Sequence, residues 1–153
     1  MNRMRLAHFI EIRVFSKEED DEDGIKEVLR SLFAIDQADD KLQIKSKISF
    51  GFDDKKIKIL SIHAVKQKYI DAVLSNLVAN LSGEQKELLL KQKESRLDRQ
   101  LHFYLRLEKD RLLQGEYWIT DTGNCFHIRI ALAAYPHKRG VASLMLDDWL
   151  KKL

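Results

Sequence analysis

The spacing of apolar and polar residues changes period several times along the chain, and each change marks an element. In residues 6–15, Ile10, Ile12 and Val14 share one side while Glu11 and Arg13 take the other, which predicts a strand. The acidic run 18–23 then opens a helix to about Phe33, with Ile25, Val28, Leu29, Leu32 and Phe33 at helical spacing. Carboxylates in a first turn suit the positive end of the helix dipole. Residues 41–50 alternate again, placing Leu42, Ile44, Ile48 and Phe50 toward a core and Lys41, Gln43, Lys45 and Lys47 outward. Gly51-Phe52-Asp53-Asp54 reads as a hairpin turn into a partner strand over 56–65, whose alternation slips near Leu60.

The broadest apolar stripe, Tyr69, Ile70, Val73, Leu74, Leu77, Val78 and Leu81, predicts a helix over 66–81. Ser82 and Gln85 then have the spacing of a capping box, opening a helix through Leu88, Leu89 and Leu90 that fades into the charged stretch 91–99. A strand follows at 101–107, then a helical turn at 109–114. Next comes an expected hairpin of Tyr117–Thr120 and Phe126–Leu132 closed by Asp121-Thr122-Gly123-Asn124. Phe126, Ile128, Ile130 and Leu132 point inward there, and His127 and Arg129 outward. Pro136 stops the sheet, and a last helix runs through Val141, Leu144, Met145 and Trp149. The order βαββααβββα predicts one α+β domain over 1–153, a two-layer fold with a mostly antiparallel sheet and helices packed on one face. The opposite face is then solvated.

Composition agrees with a single folded unit: 44% of the 153 residues are hydrophobic and 33% charged, with one proline and six glycines. His8, Glu11 and Arg13 interrupt the apolar opening, so no signal-peptide core develops, and no stretch reaches the ~18 apolar residues of a membrane helix. Cys125 is the only cysteine, which excludes intrachain disulfides and a cysteine-based zinc site. These features point to a soluble, cytoplasmic protein without a membrane partner. Net charge is +3, yet residues 18–23 hold six of the 24 acidic side chains, leaving 27 basic against 18 acidic residues elsewhere. Such an excess attracts polyanions, nucleic acid first among them.

No chemistry of catalysis stands out. The chain contains neither a GxxxxGK[ST] nor a GxGxxG phosphate loop, and its serines lack a nucleophile-elbow setting. His8, His63, His102, His127 and His137 form no ligand-spaced pair. The expectation is a non-enzyme with no catalytic residues, no cofactor and no metal site. Asp36, Asp39 and Asp40 read as a polar loop. His102 and His127, on neighbouring strands, read as exposed sheet residues rather than an acid–base pair, and Cys125 as a small structural residue. What accumulates instead is an outward basic and aromatic set: Arg13, Lys45, Lys47, His102, Tyr104, Arg106, His127 and Arg129. Lys109, Arg111, Lys138 and Arg139 extend it in adjoining turns. Arginine and lysine contact phosphate, and tyrosine and histidine rings stack on unpaired bases. The plainer alternative is a charged solvent face that binds nothing in particular.

The stretch Phe103-Tyr-Leu-Arg-Leu-Glu-Lys-Asp-Arg-Leu-Leu-Gln-Gly115, then Phe126-His-Ile-Arg-Ile130 and Ala134-Tyr-Pro136, resembles the archaeal family of predicted RNA-binding, exosome-associated proteins. Ile10-Glu-Ile-Arg-Val-Phe15, leading into an acidic helix start, is similar to that family's opening; residues 34–100 add little at motif level. The resemblance implies a fold like the large-subunit ribosomal protein that binds 5S RNA, and a cytoplasmic, non-catalytic role in RNA processing. It carries over only to Arg106, Lys109, Gly115, His127 and Arg129, as contacts or turn formers. Where the family usually has an acidic residue, a lysine and a glutamine, this chain has Glu108-Lys109-Asp110. The resulting expectation is binding of structured RNA through the basic and aromatic sheet face, in company with the exosome or other RNA-processing proteins. Two alternatives stand beside it. One is a protein-interaction adaptor docking through 18–23 or 91–99; the other, the weakest, is a metal-dependent nuclease using Asp36, Asp39 and Asp40.

Overall fold

The computed structural model describes residues 5–39 and 41–151, so Asp40 of the aspartate loop lies outside the described residues. Five strands, β1 (Ala7–Lys17), β2 (Lys45–Phe50), β3 (Lys56–Ala64), β4 (His102–Glu108) and β5 (Cys125–Leu132), form one sheet in the order β2-β3-β1-β5-β4. Every neighbouring pair is antiparallel. The helices are α1 (Glu22–Leu32), α2 (Gln67–Asn80), α3 (Gly83–Lys91), α4 (Lys93–Arg96), α5 (Lys109–Leu113) and α6 (Arg139–Leu150).

The alternation read from the sequence sets the layers. Ile10, Ile12, Val14, Leu60, Ile62, Phe103, Leu105, Leu107, Phe126, Ile128 and Ile130 are all buried on one sheet face. They pack in one cluster with Ile25, Leu29 and Leu32 of α1, Ile70, Val73 and Leu77 of α2, and Leu146 and Trp149 of α6. Each such aliphatic side chain contributes about 1.5–3 kcal/mol when fully buried. The helix starts follow the polar code: Asp21 caps α1 by accepting from Gly24 N, with Glu22 and Asp23 in the first turn. Ser82 caps α3 by accepting from Gln85 N. The Gln85 side chain does not complete the capping box. It turns inward and its Oε1 accepts from Ile119 N at 2.7 Å, tying α3 to the chain beyond α5.

Three expectations need correction. Residues 117–120 do not pair with β5. Glu108 N donates to the Trp118 carbonyl and Thr120 N to that of Arg106, so this segment lies along the outer edge of β4. Both edges of β5 are already taken by β1 and β4, leaving only the outer edge for Ile119 to bury against. Second, Ile48 and Phe50 sit on the helix side of β2 yet are 48% and 70% exposed, because β2 is an outermost strand of the sheet; Leu42 and Ile44 do join the core. Third, α6 buries Ala142, Leu146, Trp149 and Leu150, whereas Leu144 is exposed.

Candidate nucleic-acid interface

Strand register arranges the uncovered face in cross-strand rows. One row crosses all five strands: Lys45, Ser61, Arg13, His127, Arg106. The adjacent row is His63, Glu11, Arg129, Tyr104, and beyond it stand Phe9, Ala131 and His102. On the other flank, Lys47 and Ile59 lead to Phe15. His102 and His127 therefore do not meet. Tyr104 stands between them, 6.5 Å from the first ring and 5.5 Å from the second.

The half of the face around Tyr104 is closed on itself. Arg129 Nη2 lies 3.4 Å from Glu11 Oε1, and the other oxygen of Glu11 lies 3.4 Å from His63 Nδ1. The Arg129 guanidinium also sits 5.1 Å from the centre of the Phe9 ring. Phe9 stacks on His63 at 4.7 Å and meets the edge of His102 at 5.4 Å, so the two rings lean together over the buried methyl of Ala131. Asp98 accepts from Gln100 N, His102 N and Tyr104 Oη. Burial works against the Asp98 carboxylate, but these donors outweigh it and hold its pKa below the ordinary value; the same contact and burial push the Tyr104 phenol up. Asp98 also steadies Leu101, a non-glycine residue at φ 64°, at the entry to β4.

The neighbouring half is open. Among the described residues Lys45, Lys47, Arg13 and Arg106 make no ion pair, while nearby Arg96 and Arg129 each have a carboxylate. Arg106 Nη1 donates to the Asp121 carbonyl at 2.9 Å, which leaves most of its five N–H donors unused. His127, between Arg13 and Arg106, has its pKa lowered by burial first and then by repulsion from Arg13, Arg106 and Arg129, partly offset by Glu11. Here the surface dips into a cleft of about 170 Å³ lined by Arg13, Val14, Phe15, Arg106, Gly123, Cys125 and His127. Burial raises the Cys125 thiol, so it stays protonated.

The remaining candidates from the turns lie elsewhere or are engaged. Lys109 is a correction: it is buried, with Nζ donating to the Phe15 carbonyl at 3.0 Å and to Asp20 at 2.9 Å, and it bolts the start of α5 to the acidic run. Burying an ammonium requires such partners, and its burial keeps it out of reach of a ligand. Arg111 lies 4.3 Å from the centre of the Trp118 ring and pairs with Glu108 and Glu116. Arg139 grips Glu94 and the carbonyls of Glu94 and Leu97 at the start of α6. Lys138 is exposed just before that helix, and Gly115 serves as a turn former at φ 86°. Asp36 and Asp39 accept from Ala38 N and Lys41 N, and Asp39 also from Tyr69 Oη. No group of three or more metal-ligating side chains occurs among the described residues. The reading of residue types missed Phe9, Phe15, Ile59 and His63. All four share the outward parity of Arg13 or Lys47, which was the available signal.

Comparison with known proteins adds to this geometry. A family model described as RNA binding matches residues 9–132. The RNA-binding protein PAB1135 of Pyrococcus abyssi is 26% identical over 145 residues, which cover 95% of this chain and 94% of that protein. Among solved structures, the DUF54 protein AF2318 of Archaeoglobus fulgidus superposes with a TM-score of 0.80 at 22% identity, covering 94% of this chain and 99% of its own. Mth689, a DUF54 protein of Methanothermobacter thermautotrophicus, gives 0.78 at 21% identity, covering 95% and 99%. These two likenesses concern the fold.

Proposed function

This chain belongs to the RNA-binding family whose model spans residues 9–132, and from that premise we propose that it binds structured RNA through its uncovered sheet face without catalysing a reaction on it. The observation that carries the reading is the row Lys45, Ser61, Arg13, His127, Arg106, with three cations that have no carboxylate partner among the described residues. Unpaired arginine and lysine on a solvated sheet gain most from phosphate, and Phe15 and Tyr104 supply ring surface beside them. The name of the Pyrococcus relative is consistent with the same ligand class.

The finer setting belongs to this proposal as well: an RNA-processing context, with the exosome or a related assembly as partner, as the motif resemblance implies. For the adaptor alternative Glu18, Glu19 and Asp23 stay exposed, while two other carboxylates of the run are engaged. Within the acidic run Asp20 is paired with Lys109, and Glu22 with Lys26 and Lys58. For the nuclease reading, Asp36 and Asp39 are occupied in capping backbone N–H groups. The test of the main reading is fluorescence anisotropy of a labelled hairpin RNA at two salt concentrations. Neutralising three or four phosphates weakens binding roughly forty- to a hundred-and-fiftyfold between about 50 and 200 mM salt. An affinity no higher than that of an unrelated protein of equal charge would overturn it.

A further inference from the structure

We propose that the cleft between β1, β5 and the 121–124 loop receives one unpaired nucleotide turned out of a folded RNA, with its phosphate on Arg13 and Arg106 and its base against Phe15. This inference rests on the RNA-binding reading above and specifies which part of the RNA the open half of the sheet takes.

The cleft follows from strand register and side-chain size. Arg13, His127 and Arg106 occupy directly opposed positions on three adjacent strands, so two cations flank one imidazole across β5. Two residues further along, β1 presents Phe15 and β5 presents Cys125. Cys125 is short and buried, so the surface falls away beside the Phe15 ring, which remains 48% exposed. The far wall is the loop 121–124, held over the sheet by the bond from Arg106 to the Asp121 carbonyl, and Gly123 forms its rim.

The lining selects among ligands. A free inorganic anion needs only the two arginines and gains nothing from Val14, Phe15 and Cys125. A paired base stack is too wide for about 170 Å³, whereas one unstacked base has the right order of size. Sequence-specific RNA recognition commonly takes bases splayed out of loops and bulges and stacked on aromatic rings. The half-buried His127 ring offers hydrogen-bonding nitrogens at the cleft wall for a base edge. In the neighbouring half of the face the Phe9, His63 and His102 rings already lie against one another.

Gly123 provides a clean test. A Cβ added there meets no atom within 4 Å, so Gly123→Leu adds an aliphatic side chain to the cleft lining without a clash or a change of charge. The probes are two otherwise identical hairpin RNAs, one fully paired and one with a single bulged 2-aminopurine. The wild-type protein is expected to bind the bulged hairpin about tenfold tighter, the worth of one stacked base, and to quench the 2-aminopurine. Gly123→Leu is expected to bring the two hairpins to equal affinity and to abolish the quenching. Phe15→Ala, at a half-exposed position, should likewise bring the two hairpins to equal affinity and abolish the quenching, and it guards against a folding defect in the first variant. Equal wild-type affinity for the two hairpins, or a preference that survives both substitutions, would overturn the cleft assignment and leave RNA binding standing. Failure of both hairpins to bind above an equal-charge control would remove the RNA-binding reading itself.

Discussion

The two halves of the uncovered face come from the same strands, yet they handle charge in opposite ways. Around Tyr104, Glu11 stands opposite Arg129 and Asp98 accepts from the Tyr104 hydroxyl, so the cation and the phenol each have a carboxylate partner. Arg129 Nε and His102 Nδ1 are buried there without a hydrogen bond. One row away, the residue opposite both Arg13 and Arg106 is His127, and the arginines face solvent. Arg106 and Arg129 would be indistinguishable by residue type and strand parity. The cross-strand neighbour decides which one is available to a ligand.

Breaking the open half should have the largest effect. Changing Arg13 and Arg106 together to glutamine is expected to lower RNA affinity about a hundredfold and to flatten the salt dependence by roughly two phosphate contacts. Arg129→Gln should cost less than about threefold. Anisotropy titrations of the two variants against one hairpin compare them directly, and an equal loss would dissolve the distinction between the halves. The closed half should answer in stability instead. Asp98→Ala removes the acceptor for two backbone N–H groups and the Tyr104 hydroxyl, and should destabilise the fold by about 2 kcal/mol in urea unfolding. Arg13→Gln, which breaks no side-chain hydrogen bond or ion pair among the described residues, should stay within about 0.5 kcal/mol.

The smallest effect concerns pH. Burial and three arginines keep the His127 pKa below its ordinary 6.5, so at neutral pH the ring is uncharged. A bound phosphate offsets that repulsion and raises the pKa. Affinity should therefore increase as pH falls from 7 toward 6, by less than about tenfold, and an NMR titration of His127 should shift upward when RNA is added. In the free protein the linkage has the opposite consequence. The unfolded chain takes up this proton first, so the His127 contribution to stability is present above about pH 6.5 and declines as pH drops through the folded pKa. A His127 titration unchanged by RNA would place the phosphate elsewhere.

Much of the architecture was readable because alternation reports strand parity directly: Ile10, Ile12 and Val14, or Phe126, Ile128 and Ile130, all lie where period two put them. Parity does not report coverage. Ile48 and Phe50 have the correct side but lie on an edge strand. Nor does local pattern say which edge a segment joins, so Tyr117–Thr120 looked like a partner for β5 although β5 had none to offer. The basic outward set was legible residue by residue. Its division into bound and unbound members was not, because Glu11 and Arg129 are far apart in the chain and meet only through strand register. Lys109 shows the same limit, since a buried ammonium satisfied by Phe15 and Asp20 looks from composition like any surface lysine.

The strand order carries a consequence for how the molecule comes into being. β1 leads the sheet in sequence yet occupies its middle, and its two neighbours begin only at Lys56 and Cys125. As a growing polypeptide leaves the ribosome, one edge of that strand can be filled once Lys56–Ala64 is made, but the other stays vacant until Cys125, more than a hundred residues after Lys17. Closure must await the last strand, a long-range event of the kind that slows folding and exposes nascent chains to misassociation. The apolar side of β1 thus depends on early helices such as α1 for temporary shelter, which gives the acidic, well-capped start of α1 a task before the sheet exists.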